Sequence, residues 1–275
     1  MAIAAGAKCD SENLVWVMCS YDMGWQKRGK VHNSSTGHGA VLGVKTGKVL
    51  DFATRYKTCR TCAASKKPDK PTPHDCRKNL TGSTKIMEAS VACQLFQRAP
   101  ARGIMYDQYI GDDDSTTFSY LKTNVPYGLE KISDFIHAKR SLNTRLYNLS
   151  QRQKFPDSSV LTQKVVNYLV KCFSYYVHQR KNQPAELVIA IQCIVPHAFV
   201  DHKKCNSSWC RYKQNPTEYI HHELPHGKDL HWSSLQQALH DLFSEYASPT
   251  VVTKLASCLD SQRNESLNET IGSKT

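Results

Sequence analysis

A chain of 275 residues is long enough to bury one good-sized core, or one core carrying a large insertion, without disulfide staples. With 40% hydrophobic and 22% charged residues, and no apolar run near the roughly 18 residues that cross a bilayer, it reads as globular rather than disordered or membrane-spanning. The net charge of +12 attracts polyanions, which makes nucleic acid the leading partner, with a merely solvated basic surface as the alternative.

The start, Met1 to Lys8, has neither a basic lead nor a long apolar stretch, so no secretory signal is expected. Eleven cysteines, an odd number partly spaced for metal, fit a reducing compartment. Leu14 to Ser20 is an apolar, β-branched run stopping at Tyr21-Asp22, which predicts a buried strand that delivers an acid at its end. Gly37 to Val44 and Lys48 to Thr54 predict a hairpin around the turn Lys45-Thr46-Gly47. Arg55 to Thr81 is rich in Lys, Pro and Thr and predicts a long loop.

Met87, Val91 and Leu95 lie at helical spacing within Ser83 to Gln97, with Pro100 and Gly103 as stop signals. Met105 to Ile110 predicts a fourth strand, Thr116 to Lys122 a short helix, and Lys131 to Phe135 a fifth strand. From His137 onward the pattern is helical, around Arg140 to Leu149, Leu161 to His178, Leu235 to Tyr246 and Thr250 to Leu259. Three strands, a helix, a strand, a helix and a strand imply a mixed sheet covered by helices. The expected division is 1–135 for a sheet-containing core that includes the loop 55–81, 136–247 for a mainly helical insertion, and 248–275 for a last helix returning to the core.

Acids at the ends of the first and fourth strands, Asp22 and one of Asp112 or Asp114, become neighbours if those strands are adjacent. A third acid from a late helix would complete a cluster that repels itself unless hard cations such as Mg²⁺ or Mn²⁺ neutralise it. Two such ions about 4 Å apart suit in-line displacement at a phosphodiester. Taken singly, each acid is more simply a loop or helix-capping Asp.

Four blocks carry a resemblance when taken in order. They are Asp22-Met23-Gly24-Trp25-Gln26-Lys27-Arg28-Gly29, Asn79-Leu80-Thr81-Gly82-Ser83 through Met87-Glu88-Ala89, Tyr109-Ile110-Gly111-Asp112-Asp113-Asp114-Ser115, and Asn264-Glu265-Ser266-Leu267-Asn268. Together they resemble the Mutator-like transposase domain family. The resemblance implies an RNase H-like α/β fold with a five-stranded mixed sheet, a helical insertion before the last catalytic helix, and a catalytic triad carried onto Asp22, Asp112 and Glu265. Asp134-Phe135-Ile136-His137 is similar to the acid-or-Cys, two residues, His element such enzymes carry after the second acid. The chain departs from the family pattern at Met23, which crowds the backbone if that position needs positive φ, and at Asp113, which leaves open whether Asp112 or Asp114 is the ligand.

Cys59, Cys62, His74 and Cys76 supply four ligands for a closed Zn²⁺ site that would pin the polar loop. His197, His202, Cys205 and Cys210 form a second set, to which the resemblance extends, while His221, His222, His226 and His231 read as surface or loop histidines. Lys27, Arg28, Arg77 and Lys78 are candidate phosphate contacts. Trp25 is a core aromatic on the simpler reading and a base-stacking residue on the functional one.

The expected function is transposition: metal-dependent hydrolysis and strand transfer at element ends, in the nucleus, by a homo-oligomer on DNA with no membrane role. The rival expectations are a domesticated, catalytically inactive DNA- and zinc-binding descendant, or a zinc-stabilised protein-interaction module.

Overall fold

The computed structural model describes residues 14–26, 34–65, 73–112, 115–152, 155–157 and 160–274. Lys27, Arg28 and Asp114, with its neighbour Asp113, lie outside the described residues. By its contacts the chain forms two compact units, one of residues 1–132 with 260–275 and one of residues 133–259. Among the described residues no helix is long and apolar enough to cross a membrane, and the ten described cysteines are free thiols.

The first unit is built on a mixed five-stranded sheet. Its strands are β1 (Cys19–Trp25), β2 (Thr36–Gly43), β3 (Val49–Tyr56), β4 (Gln108–Gly111) and β5 (Glu130–Ser133), in the spatial order β3-β2-β1-β4-β5. β1, β2 and β3 pair antiparallel, and β4 joins β1 in parallel. A two-residue parallel bridge, Val15–Trp16 with Ile104–Met105, stands apart from the sheet. The β2–β3 turn closes on Gly47 at φ +66, a conformation glycine adopts without steric cost.

Helix α1 (Thr84–Arg98) starts where the Ser83 side chain accepts the Ile86 amide, a satisfied N-cap. Its stripe of Met87, Val91 and Leu95 is fully buried against Tyr21, Met23 and Val41 of the sheet, together with Phe96, Tyr106 and Tyr109. Burial of side chains this size stabilises by about 1.5–3 kcal/mol each before chain entropy is counted. α2 (Ser115–Asn124) packs beside α1.

The opposite sheet face takes α8 (Gln262–Lys274), whose Asn264 is fully buried. Asn264 accepts a hydrogen bond from the Ser20 hydroxyl at 2.5 Å and donates to the Ala40 carbonyl at 2.9 Å, fixing the helix over β1 and β2.

The second unit is helical: α3 (Phe135–Arg152), α4 (Gln163–Gln179), α5 (Pro184–Gln192), α6 (Ser233–Tyr246) and α7 (Pro249–Leu255), with short turns at Ile194–Ala198 and Arg211–Gln214. α4 begins at Thr162, whose side chain accepts the Val165 amide. It buries Val165, Leu169, Phe173 and Val177 at helical spacing in a core of its own.

Candidate active site and metal centres

Alternation along β1 divides its side chains between the two faces of the sheet. Tyr21 and Met23 enter the α1 core, while Ser20 and Asp22 face α8. Asp22 is the fourth residue of β1 rather than its end, because antiparallel pairing with β2 carries the strand on to Trp25. Parallel pairing with β4 stops at Ser20↔Ile110; Asp22 stands two residues further along β1, and Asp112 directly follows the end of β4, near enough for its charge to act on Asp22.

The third acid comes from α8, whose first turn carries Glu265. Asn268, one turn on, donates from Nδ2 to Asp22 Oδ2 at 2.8 Å. Burial is the main force pushing the Asp22 carboxyl up to about 6, followed by repulsion from Asp112 and, more weakly, from Glu265; the Met23 amide and Asn268 oppose the rise. All three carboxylates are thus within electrostatic reach. As a trio they do not form one of the groups whose ligand atoms all lie within 4.8 Å of one another, a spacing that one ion would require and a pair of ions does not. Three hard oxygen donors, with one carboxyl held against ionisation, fit divalent Mg²⁺ or Mn²⁺.

Met23 adopts no positive φ, so the crowding expected of it does not arise. Its methyl occupies the space a Cβ on Gly37 would need, 2.5 Å away.

His38 joins the site without any motif to mark it. It pairs across β1 and β2 with Gly24, and its ring occupies the place of a Cβ on residue 24: such an atom would lie 2.4 Å from His38 Cε1 and Nε2 and 3.0 Å from Asn268 Cγ. Burial holds its imidazole below the ordinary value, against a smaller opposing effect of Asn268. Gly24→Ala is therefore expected to displace Asn268 from Asp22. Divalent-ion affinity at the acids should fall about tenfold, for the loss of one charge-assisted hydrogen bond. Parent-like ion binding by a folded variant would show that this contact is idle.

Two tight Cys/His clusters stand apart from the acids. In the first, His74 Nε2 lies 3.3 Å from Cys59 Sγ and 3.4 Å from Cys62 Sγ, and the Cys62 and Cys76 sulfurs are 3.6 Å apart. In the second, His197 Nδ1 lies 3.0 Å from His202 Nδ1, 3.4 Å from Cys205 Sγ and 4.0 Å from Cys210 Sγ, and Cys210 Sγ lies 3.6 Å from His202 Nδ1. A tetrahedron with vertices at Zn–N and Zn–S bond lengths has edges of about 3.3–3.8 Å, which both sets approximate.

Hydrogen bonding by the Cys62 amide, with help from His74, pushes the Cys59 thiol down to about 6. Its neighbour Cys62 is pushed up to about 11, chiefly by Cys76. Burial pushes Cys205 up to about 12 and His197 down to about 4. Neutral imidazoles and thiols that resist joint ionisation become good ligands once a cation is present. Both clusters are thus arranged to hold a metal.

Other expected site residues fall differently. The Asp134 carboxylate is fully buried and accepts the His137 amide at 3.0 Å, which makes it the N-cap of α3. Of the surface and loop alternatives His221 takes the loop: it is 6% exposed and bridges Asp229 Oδ1 at 2.8 Å and the Tyr168 hydroxyl at 2.7 Å. Arg77 and Lys78 are exposed, and Trp25 is half-buried at a groove of about 580 Å³ beneath α8.

Comparison with known proteins gives one match, to the family model described as Mutator-like transposase, over residues 2–210, about three quarters of the chain. Asp22, Asp112 and both Cys/His clusters lie within the matched region, and Glu265 lies beyond it. No curated protein and no solved structure matches.

Proposed function

The chain belongs to the Mutator-like transposase family, and from that premise we propose that it is the catalytic domain of a DNA transposase, hydrolysing phosphodiesters at element ends and joining the freed 3′ hydroxyl to target DNA. The observation that supports the reading is electrostatic: Asp112, just beyond β4, and Glu265, in the first turn of α8, both raise the proton affinity of Asp22 in β1. The strand order, with α8 across β1, supports an RNase H-like fold.

Asp22, Asp112 and Glu265 would hold the divalent ions, which would supply activation of the attacking oxygen and stabilisation of the leaving one. The chain's own part is positional. Asn268 fixes the Asp22 carboxylate, and Asn264 anchors α8, whose first turn carries Glu265, to β1 and β2. Basic residues around the acids must provide the attraction for DNA, since clustered carboxylates alone repel a phosphodiester. Zn²⁺ in the Cys/His clusters would be structural, and the work would take place in the nucleus on paired element ends, held by more than one copy of the chain.

The test is nicking of supercoiled plasmid by purified protein with Mg²⁺ or Mn²⁺. Ion-dependent conversion to open circle is expected. Salt-sensitive DNA binding without nicking would sink the enzymatic reading and leave a catalytically silent descendant.

A further inference from the structure

Within the helical unit, α4 and the loop that follows the second Cys/His cluster enclose a concavity of about 250 Å³. Five aromatic rings line it, Tyr168, Tyr175 and Tyr176 from α4 and Trp209 and Tyr219 from the loop. Trp209 meets Tyr176 edge-on at 5.2 Å, and Tyr175 meets Tyr176 at 5.7 Å. His221 ties the two sides together: it is bonded to the Tyr168 hydroxyl, and its ring lies 5.6 Å from that of Tyr219. Burial pushes the Cys172 thiol on the wall up to about 12 and raises the Tyr168 and Tyr176 phenols as well, so these groups stay neutral. At the mouth stand Tyr175, 45% exposed, Ile220, 53% exposed, and the exposed Arg211.

The volume falls below the roughly 300–1,000 Å³ of sites for drug-sized ligands and suits a single planar ring system. Aromatic walls take either a flat ring by stacking or a cation by its attraction to the ring faces. The charge at the mouth decides between them. Glu223, the acid lining the pocket, is paired with Lys171, whereas the Arg211 guanidinium makes no ion pair among the described residues. A cation would therefore meet repulsion from Arg211 and no available carboxylate. A flat ring that carries an anion fits instead, the ring among the tyrosines and the anion on the planar donors of Arg211. That is the chemistry of a nucleotide with an unpaired base, since a base within a duplex must first leave its stack to enter such a pocket.

We propose that this aromatic pocket receives an unpaired base of single-stranded DNA, with Arg211 on the adjoining phosphate. The proposal rests on the DNA-acting reading above and adds a single-strand site held within the helical unit. Stacking accepts every base, so the pocket holds a strand without reading its sequence.

The experiment titrates the full chain, without added divalent ion, against a short oligodeoxynucleotide carrying 2-aminopurine and against an abasic strand of the same length. The parent is compared with Tyr175→Ala and Arg211→Gln. Binding to the parent should quench the 2-aminopurine, as stacking does. Tyr175→Ala should bind the base-carrying strand about five- to a hundredfold more weakly, the cost of one lost stacking contact, and the abasic strand as tightly as the parent does. Arg211→Gln should weaken both strands about three- to tenfold and flatten the slope of log affinity against log salt by about 0.7, as for one lost phosphate contact on a single strand. Both side chains are exposed, and Arg211→Gln serves alone where Tyr175→Ala fails to fold.

Parent-like affinity and quenching in folded Tyr175→Ala would overturn the base site, and so would an equal weakening of the base-carrying and abasic strands. Choline that raises the melting temperature of the parent and not of Tyr175→Ala, with quenching the same in both, would make the pocket a cage for quaternary ammonium and overturn the DNA assignment. A parent that quenches through Tyr175 and nicks no plasmid leaves the pocket standing while the phosphotransfer reading fails. Nicking without any quenching does the reverse.

Discussion

Asp22→Asn is expected to abolish plasmid nicking, by at least about 10³-fold, while making the metal-free protein more stable at neutral pH. The loss follows from removing a ligand of the ions, worth several kcal/mol in the transition state, and about 4 kcal/mol corresponds to that rate factor. The gain in stability has the opposite origin. The folded protein holds the Asp22 proton up to about pH 6, whereas the unfolded chain releases it near the ordinary carboxylate value of 3.8. Between those values the native state binds more protons, so stability falls as pH rises through the window, and above it the whole cost is present. A difference of that size is worth on the order of 1–3 kcal/mol once solvent screening is allowed for.

Asn at this position carries no charge to desolvate. The variant's advantage should therefore be present at pH 7.5, shrink as pH falls and vanish below about 4. Divalent ions should stabilise the parent and not the variant. Urea denaturation at several pH values, with and without Mg²⁺, measures this, and a variant less stable than the parent at pH 7.5 would show that Asp22 is not held against ionisation.

Periodicity and turn chemistry make the sheet legible: the hairpin around Gly47, the α1 stripe of Met87, Val91 and Leu95, and a mixed five-stranded sheet under helices are as the residue pattern implies. Cysteine and histidine spacing likewise marks both clusters, because ligands to one ion must sit close in the chain or be held there by it.

What spacing does not give is the partner across the sheet. The residue pattern ends the first strand at Asp22, and the antiparallel hold of β2 keeps β1 extended for three more residues. His38 reveals itself only through Gly24, a small residue facing it across two strands; a glycine inside a strand is the one sequence signal that points there. His221 reads as a surface or loop residue in the sequence, and nothing local foretells that its loop is buried, with bonds to Asp229, eight residues on, and to Tyr168, far back in the chain.

Stripping metal from the second Cys/His cluster is expected to produce the largest loss of stability in the molecule. His197, His202, Cys205 and Cys210 draw together a stretch that has little regular structure of its own, from the turn Ile194–Ala198 to Arg211–Gln214. This stretch covers α4 through Trp209, whose ring meets Tyr176 edge-on at 5.2 Å, and is held to itself by Tyr212, which stacks on His202 at 4.1 Å. Structural Zn²⁺ sites bind with roughly 10–16 kcal/mol in small peptides. Even about a third of that, lost from a unit of this size, lowers the melting temperature by more than about 10 °C.

Cys210 is fully buried, so Cys210→Ser should reproduce the effect of a strong chelator. Cys62→Ser, in the more exposed first cluster, should cost only a few degrees, because the Met87 and Phe96 core does not depend on that loop. Burial holds the Cys205 thiol up at about 12 in the absence of metal, so binding must expel its proton, and affinity should rise with pH across the neutral range. Elemental analysis should find two zinc ions per chain. Protein that purifies without zinc and melts at the same temperature with and without chelator would remove both centres, and with them the account of how these loops are ordered.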